Sequence, residues 1–189
     1  MHVLLGRLSG LLSLAGFIPY VIAILRGKTR PSLATWGIWA GVGAILCASA
    51  WAAGARASIW TPVSYALGPS VVTLIALRYG ERGLSRFDLG CIAAAAASLL
   101  LWYLAETPLV ALLINIVIDL VGALPTLRKT WHDPDSEDRL SWGLFCAANL
   151  VNLAAIERWR FAEAVYPVYL VGITGAVNAV IWWRRGRAS

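Results

Sequence analysis

Long hydrophobic runs, separated by short charged segments, set the pattern of this chain. Seven runs lie near the roughly 17–25 residues that a helix needs to cross about 30 Å of hydrocarbon. Lipid offers no hydrogen-bond partners to an open backbone, so each run is predicted to be helical. The pattern therefore predicts an all-α, polytopic membrane protein with seven transmembrane helices. The predicted spans are Leu8–Leu25, Leu33–Ala53, Ile59–Leu77, Leu89–Ala105, Pro108–Leu127, Leu140–Ile156 and Ala164–Trp183.

The composition agrees with this pattern. Hydrophobic residues make up 59% of the 189 residues and charged residues only 14%, against roughly 45–50% and about 25% in soluble domains. The connections are too short for a soluble domain, and Arg26-Gly27-Lys28 follows the first run in place of a small-residue cleavage site. We therefore expect a multi-pass protein of the cytoplasmic membrane that keeps its first span and has the lipid bilayer as a partner.

The basic residues are divided unequally between the two sides of the predicted bundle. Of the 16 Lys and Arg residues, Arg7, Arg56, Arg158 and Arg160 fall on the side of the N-terminus and the other 12 on the side of the C-terminus. The positive-inside rule then predicts an external N-terminus and a cytoplasmic C-terminus. The net charge of +6 does not indicate a nucleic-acid partner, because the basic residues form short clusters between apolar runs, as in loops that face anionic lipid.

The chain contains an internal repeat. A shift of 106 residues aligns the first two spans with the fifth and sixth, and a shift of 105 aligns the third span with the seventh. We predict a three-helix repeat in 1–80, a connecting helix in 81–107 and a second repeat in 108–189. Since an odd number of spans precedes the second copy, the two repeats are parallel. The matched pairs are Gly16 with Gly122, Pro19 with Pro125, Trp36 with Trp142, Gly37 with Gly143, and Pro62 with Pro167.

Each repeat has a proline near the predicted cytoplasmic end of its first helix, followed by a polar loop. The segments are Gly16-Phe17-Ile18-Pro19-Tyr20 before Arg26–Ser32, and Gly122-Ala123-Leu124-Pro125-Thr126 before Asp133–Glu137. These segments and the 3+1+3 plan resemble the SWEET and PQ-loop superfamily. The resemblance implies a small-solute transporter.

The chain departs from that family at two points. Pro19-Tyr20 and Pro125-Thr126 stand where the family has Pro-Gln, and the second and sixth spans lack the hinge prolines of sugar transporters. These departures indicate a divergent branch and weaken the case for a sugar. Transporters of vitamin precursors such as nicotinamide riboside have a similar fold and remain an alternative.

Asp119 is the foremost candidate for a functional residue. It lies in the middle of the fifth span, where an ionisable group costs at least about 2.5–3.5 kcal/mol. Asn115 lies one turn earlier on the same helical face, and the repeat alignment pairs these two residues with Ser9 and Ser13. We predict that Asp119 either couples proton movement to transport or anchors a polar solute. The alternative is a structural hydrogen bond to a neighbouring helix.

Other polar residues are predicted to line the same solute-binding cavity. Asn149 and Asn152 share one face of the sixth helix, and interhelical amide hydrogen bonds average only about 0.6 kcal/mol, which favours a cavity over structural pairing. The resemblance implies a substrate-contacting Asn at the position of Asn178. Tyr65 is a further candidate through its hydroxyl group, with local packing as the alternative.

Aromatic and proline residues are candidates for moving parts. Trp36 and Trp142 begin the second and sixth spans, and we predict that they form an aromatic wall or a cytoplasmic gate. Their alternative role is anchoring at the membrane interface. Prolines within helices remove hydrogen bonds and can serve as hinges between rocking repeats. The predicted hinges are Pro19, Pro125, Pro62 and Pro167.

The remaining chemistry is sparse. Acidic and basic residues in the loop 128–139 are expected to form a solvated, self-neutralising surface, with a cation site as the alternative, although the Gly and terminal Glu of a calcium loop are missing. Cys47, Cys91 and Cys146 lie in apolar runs without C-x-x-C spacing and are expected to serve in packing. The chain contains neither H-E-x-x-H nor G-x-S-x-G, and its seventh span has no Lys for a retinal Schiff base.

These observations favour a small-solute transporter or facilitator that works by alternating access, with a polar pocket at half depth and a possible proton partner at Asp119. The alternative is a receptor-like protein of the same fold that binds a ligand or partner without transport. We expect no enzymatic activity, cofactor or metal. Seven helices enclose a pathway in one chain, so a monomer suffices, and Gly6-x-x-x-Gly10 offers a face for a homodimer.

Overall fold

The computed structural model describes residues 1–52, 60–105 and 107–185. Within these ranges the chain is all-α, with seven α-helices and one short 3-10 turn at Pro134–Ser136. The side chains of Tyr65 and Pro62, the residue Arg56 and the last four residues lie outside what is described. The helices are α1 His2–Leu25, α2 Leu33–Ala52, α3 Trp60–Tyr79, α4 Arg86–Tyr103, α5 Pro108–His132, α6 Arg139–Ala154 and α7 Phe161–Arg185.

Local sequence signals determine where several helices begin and end. Ser85 and Asp88 form a reciprocal capping box at the start of α4, with distances of 3.2 Å and 2.8 Å between side-chain oxygen and backbone nitrogen. Asp138 caps α6 by accepting from the Ser141 amide at 2.8 Å. Helix α1 ends at Leu25. Gly27, two residues later, has a left-handed φ of 68°, and the amide of Lys28 donates back to the Ala23 carbonyl.

In the described parts of the chain, four helices are long and apolar enough to cross a membrane: α1, α4, α5 and α7. Helices α2 and α3 contain shorter apolar stretches, Leu33–Ile45 and Ala66–Tyr79, and α6 has 16 residues. Large hydrophobic side chains also face outward, with Leu11 66% exposed and Leu74 68% exposed. An outer surface of this kind is suited to lipid rather than to water.

The short connections make successive helices run in opposite directions. We call the side where α1, α3, α5 and α7 end the C-terminal face, and the opposite side the N-terminal face. Helix α3 contacts both α1 and α2, and α7 contacts both α5 and α6. Helix α1 also contacts α6, and α2 contacts α5. Helix α4 packs on α5 and α2, so it lies at the edge of the other six helices.

The most deeply buried residues lie toward the C-terminal face. The hydrophobic core there includes Tyr20 of α1, Trp36 of α2, Trp142 of α6 and Val177 of α7. Close approach of α1 to α6 depends on Gly16, because a Cβ atom at that position would lie 2.6 Å from the Phe145 ring. The bundle is therefore packed most tightly at this face.

Candidate functional site

A cavity of about 530 Å³ lies among the helices, and its described lining comes from every helix except α4. This volume is in the range of ligand pockets, roughly 300–1,000 Å³. Its aromatic lining is Phe17, Trp36, Trp39, Trp142, Phe145 and Tyr166. Its polar lining includes Ser9, Ser13, Asp119, Asn149, Asn152 and Thr174. The cavity thus combines aromatic walls with a small set of polar groups.

Asp119 brings a carboxyl group to the middle of this cavity. Its Oδ2 accepts a hydrogen bond from the Tyr169 hydroxyl at 2.7 Å, and its backbone carbonyl accepts from Trp39 Nε1 at 3.3 Å. Among the described residues, no Lys, Arg or His forms an ion pair with Asp119. The carboxyl group is therefore oriented by α7 but has no charge partner in the described part of the protein.

The lining continues toward the N-terminal face through Asn152. This residue also lines a second cavity of about 230 Å³, together with Glu157, Glu163 and Pro167. Both glutamates are exposed. One turn deeper, Asn149 Nδ2 lies 3.4 Å from Thr174 Oγ1. Asn152 therefore links the lining of the central cavity with that of a second cavity that contains two carboxylates.

At the C-terminal face the cavity ends at a buried polar network, which we call the closing cluster: Tyr20, Trp36, Lys129, Glu137 and Trp142. The Tyr20 hydroxyl and Trp142 Nε1 both donate to Glu137 Oε2 at 2.8 Å. Trp36 Nε1 donates to the Tyr20 hydroxyl at 3.2 Å. Lys129 pairs with Glu137 Oε1 at 2.5 Å. The two tryptophans line the cavity on one side of the cluster, so this network forms its end.

Further contacts hold the loops over the closing cluster. Lys129 Nζ also donates to the Arg30 carbonyl, and the Arg30 amide donates to the Ser136 carbonyl at 2.9 Å. The hydroxyl oxygens of Thr35 and Thr126 lie 2.9 Å apart. In the adjacent α3–α4 loop, burial raises the pKa of the Glu81 carboxyl, with Lys129 acting in the opposite direction. The C-terminal face is thus tied together by contacts between distant parts of the chain.

The structure brings five of the sequence-predicted site residues to the cavity: Trp36, Asp119, Trp142, Asn149 and Asn152. Two others are not part of its described lining. The amide of Asn178 donates at 2.8 Å to the carbonyls of Trp142 and Thr174, so it joins α7 to α6. Asn115 is half-buried on α5. The prediction for the Tyr65 side chain falls outside the described residues.

The predicted hinges have different positions in their helices. Pro19, Pro125 and Pro167 lie inside α1, α5 and α7. Pro62 lies in the first turn of α3, where a proline leaves no helical hydrogen bond unmade. The interior proline of that helix is Pro69, which also lines the cavity.

Two expectations from the sequence need correction. The loop 128–139 is not wholly a solvated surface, because Glu137 is 1% exposed and Lys129 is 8% exposed. Its alternative as a cation site is not supported, since the described residues contain no cluster of three potential metal ligands.

Trp36 and Trp142 are each 2% exposed, which excludes anchoring at the membrane interface. Both errors arise because a loop folds back into the bundle.

Glu137 and Lys129 are the residues that the sequence interpretation missed. A signal was available, since a buried Tyr hydroxyl and two buried indole N–H groups need acceptors. The repeat alignment placed Trp36 and Trp142 at the start of their helices, next to a loop with four carboxylates. It did not identify which carboxylate turns inward.

Comparison of the chain with models of known protein families, with curated proteins and with solved structures gives no match. The class of this protein therefore has to be argued from its own fold and cavity. Over residues 1–52, 60–105 and 107–185 the protein is all-α and has four helices long and apolar enough to cross a membrane. It contains a central cavity that ends at a buried polar network.

Proposed function

We propose that this protein is a small-solute transporter or facilitator of the cytoplasmic membrane that works by alternating access. In this proposal all seven helices cross the membrane, with the N-terminus outside and the C-terminus in the cytoplasm. The observation that carries it is the asymmetry of the central cavity. One end stops at the closing cluster. At the other end, Asn152 is shared with a second cavity that is lined by Glu157 and Glu163.

The transport proposal includes two parallel three-helix repeats, and the close contacts of two glycines support it. A Cβ atom on Gly16 would meet Leu144 and Phe145, and one on Gly122 would meet Ile38 and Trp39. The 106-residue shift that pairs the glycines also pairs Ile38 with Leu144 and Trp39 with Phe145. Equivalent residues therefore make equivalent contacts, as expected for two units related by a pseudo-two-fold axis.

Contacts between helices and loops support the same arrangement. Exchanging the two proposed repeats converts the α1–α6 contact into the α5–α2 contact, and both contacts are present. The third helix contacts the first and second in each half. Arg30 and Ser136 are paired by the same shift, and their backbone groups are bonded to each other at 2.9 Å. A contact between equivalent residues is expected only close to the symmetry axis.

Alternating access requires contacts that hold one face closed and that rocking of the repeats can break. Tyr20 with Glu137, Thr35 with Thr126, and the Arg30 and Ser136 backbones all join residues of 1–80 to residues of 108–189. Separation of the two halves at the C-terminal face would break all three. The closing cluster thus has the position of a cytoplasmic gate.

Asp119 is proposed to couple transport to proton movement. It supplies the only carboxylate in the described lining of the central cavity, and it has a single described side-chain donor, the Tyr169 hydroxyl. A carboxyl group without a charge partner at this depth costs several kcal/mol, roughly 2.5–3.5 by insertion scales. Exchange of a proton or contact with a solute at each turnover would offset this cost.

Counterflow in proteoliposomes tests the transport proposal across several chemical classes of solute. Vesicles containing the purified chain are loaded with one unlabelled solute from a panel of sugars, amino acids, amines and nucleosides, and uptake of the labelled form is followed. We expect counterflow for at least one chemical class. Saturable binding without counterflow for every class would instead favour the receptor-like alternative.

The Asp119→Asn variant tests proton coupling. We expect this variant to lose accumulation driven by a pH gradient across the vesicle. Counterflow at a saturating solute concentration should persist, because exchange needs no net proton movement. Glu81→Gln is the matched control, since it removes a carboxylate outside both cavities and should leave both measurements unchanged. A variant at Asp119 with wild-type rate and wild-type pH dependence would contradict the coupling role.

A further inference from the structure

The charge inside the central cavity indicates which class of solute fits. Asp119 provides a carboxylate, whereas no Lys, Arg or His belongs to the described lining of either cavity. Among the described residues, the carboxylates that form ion pairs are Glu137, with Lys129, and Asp135, with Arg185 at 2.8 Å. Asp119 is in neither pair. A carboxylate left without a cation in an apolar setting favours a solute that brings one positive charge.

The described lining of a second cavity has the same sign of charge. Glu157 and Glu163 line this cavity at the N-terminal face, and Asn152 belongs to the lining of both cavities. Acidic groups that line a low-dielectric cleft raise the local concentration of cations and disfavour anions. Arg158 and Arg160 lie in the same segment of the chain, so this preference is that of the second cavity and not of the whole N-terminal face.

The size and the walls of the cavity exclude a bare inorganic ion as the best fit. A volume of about 530 Å³ is that of a pocket for an organic molecule. Trp39 donates to the backbone carbonyl of Asp119, and the Tyr166 ring lies 6.0 Å from the ring of Tyr169, whose hydroxyl donates to the Asp119 carboxylate. Trp39 and Tyr166 both line the cavity, so the carboxylate shares the cavity with aromatic walls.

A cavity that combines a carboxylate with aromatic walls recognises an ammonium group attached to an apolar body. The carboxylate provides an ion pair, and the ring faces attract the cation with an energy that grows when the site is desolvated. Phe17 and Phe145, with ring centroids 5.0 Å apart, line the deeper part of the cavity. They offer a surface to an apolar or planar solute body.

We propose that the solute of this cavity is an organic monocation, with its ammonium group at Asp119 and its apolar body against the aromatic walls. This inference rests on the proposed function only in taking the central cavity as the solute site. It does not require that the solute is translocated. It predicts discrimination by charge among molecules of one shape.

Three probes that share a phenyl ring test the inference: phenethylamine, which is cationic at neutral pH, 2-phenylethanol, which is neutral, and phenylacetate, which is anionic. Binding to the purified full chain in detergent is measured by isothermal titration calorimetry, with empty micelles as the blank. We expect the amine to bind at least about tenfold more tightly than the alcohol, in line with a desolvated cation–π and ion-pair site. Phenylacetate should not bind.

Variants of Asp119 test whether this residue causes the preference for the amine over the alcohol. Asp119→Asn should reduce the affinity ratio of amine to alcohol to within about threefold, whereas Asp119→Glu should retain most of it. Glu81→Gln, which makes the same charge change outside both cavities, should leave the ratio unchanged. If Asp119→Asn does not fold, the three probes on the wild-type chain and the Asp119→Glu variant still decide the result.

Equal affinity for the three probes, preference for the alcohol or the acid, or no binding of the amine would each overturn the inference. These outcomes are independent of the transport assay. Amine binding without counterflow would contradict transport and leave the solute class intact. Counterflow of a neutral solute without amine binding would contradict the solute class and leave transport intact.

Discussion

Glu137 combines two properties that rarely occur together in a loop residue, since its side chain is fully buried and it accepts from three different donors. Tyr20 and Trp142 share one carboxylate oxygen, and Lys129 takes the other. A buried ion pair is weak evidence for net stability, because desolvation offsets most of the attraction. Removing one partner is destabilising, because the other charge is left buried and unpaired.

This asymmetry gives the first residue-scale prediction. Glu137→Gln retains the size of the side chain and leaves Lys129 without a counter-charge, so we expect a loss of about 3–5 kcal/mol in the free energy of unfolding. Thermal melting of the purified protein in detergent measures it. Asp135→Asn is the control two residues away, because its side chain is 80% exposed, and it should change the melting temperature little.

The double variant Lys129→Met with Glu137→Gln separates the ion pair from the rest of the network. Removing both charges eliminates the unpaired lysine, so we expect this variant to recover much of the stability lost in Glu137→Gln. A double variant no more stable than the single one would show that the hydrogen bonds to Tyr20 and Trp142 dominate instead.

The sequence identified a buried charged residue only where its charge stands out from the residues around it. Asp119 is an isolated carboxyl in an apolar helix, and a hydropathy pattern alone identifies it. Glu137 is one of four carboxylates in a polar loop, and only tertiary folding distinguishes it from Asp135. Asn178 was placed in the cavity by resemblance, whereas in the structure its amide is used by two backbone carbonyls.

At the scale of the elements, the helices were predicted well because apolar length is a strong local signal. The ends of the helices were predicted less well, because they depend on capping hydrogen bonds that the hydropathy pattern does not show. Helix α4 begins at Arg86 because Ser85 and Asp88 cap it, three residues before the predicted start at Leu89. The pairing between helices was not predicted from the sequence, because it joins residues far apart in the chain.

The contact of α1 with α6 gives the element-scale prediction. Gly16→Ala would place a Cβ atom 2.6 Å from the ring of Phe145, which packs in the core, so we expect a loss of about 1–3 kcal/mol in stability from overpacking. Gly143→Ala is the control on α6, because no atom lies within 4 Å of its Cβ position. That variant should be neutral or up to about 1 kcal/mol more stable.

Gly122→Ala is the repeat-related comparison. Its Cβ atom would meet Ile38 and Trp39 side chains at 3.0 Å, a looser contact than at Gly16, so we expect a smaller loss of stability. Melting temperatures in the order Gly143→Ala, Gly122→Ala, Gly16→Ala, from highest to lowest, would agree with the packing. Equal stability of all three variants would contradict a close approach of α1 to α6.

At the scale of the whole molecule, the polar contacts at the C-terminal face lie where the two proposed repeats would separate. The closing cluster, the Thr35–Thr126 contact and the Arg30–Ser136 contact all lie at the C-terminal face and all cross between the proposed repeats. Helix α4 contributes to none of them and stays at the edge. A rocking motion of one repeat against the other would therefore open this face without breaking the packing inside either repeat.

A reversible cross-link at that face distinguishes rocking from a fixed binding site. The Thr35 and Thr126 hydroxyl oxygens lie 2.9 Å apart, so cysteines at these two positions should form a disulfide in a chain whose Cys47, Cys91 and Cys146 are replaced by Ala. We expect the oxidised variant to lose counterflow and to retain solute binding at the N-terminal face, with counterflow restored by dithiothreitol. The Thr35→Cys single variant should be insensitive to oxidation. Full counterflow in the cross-linked protein would mean that the solute passes without separation of the two halves, and a rocking mechanism would then be wrong.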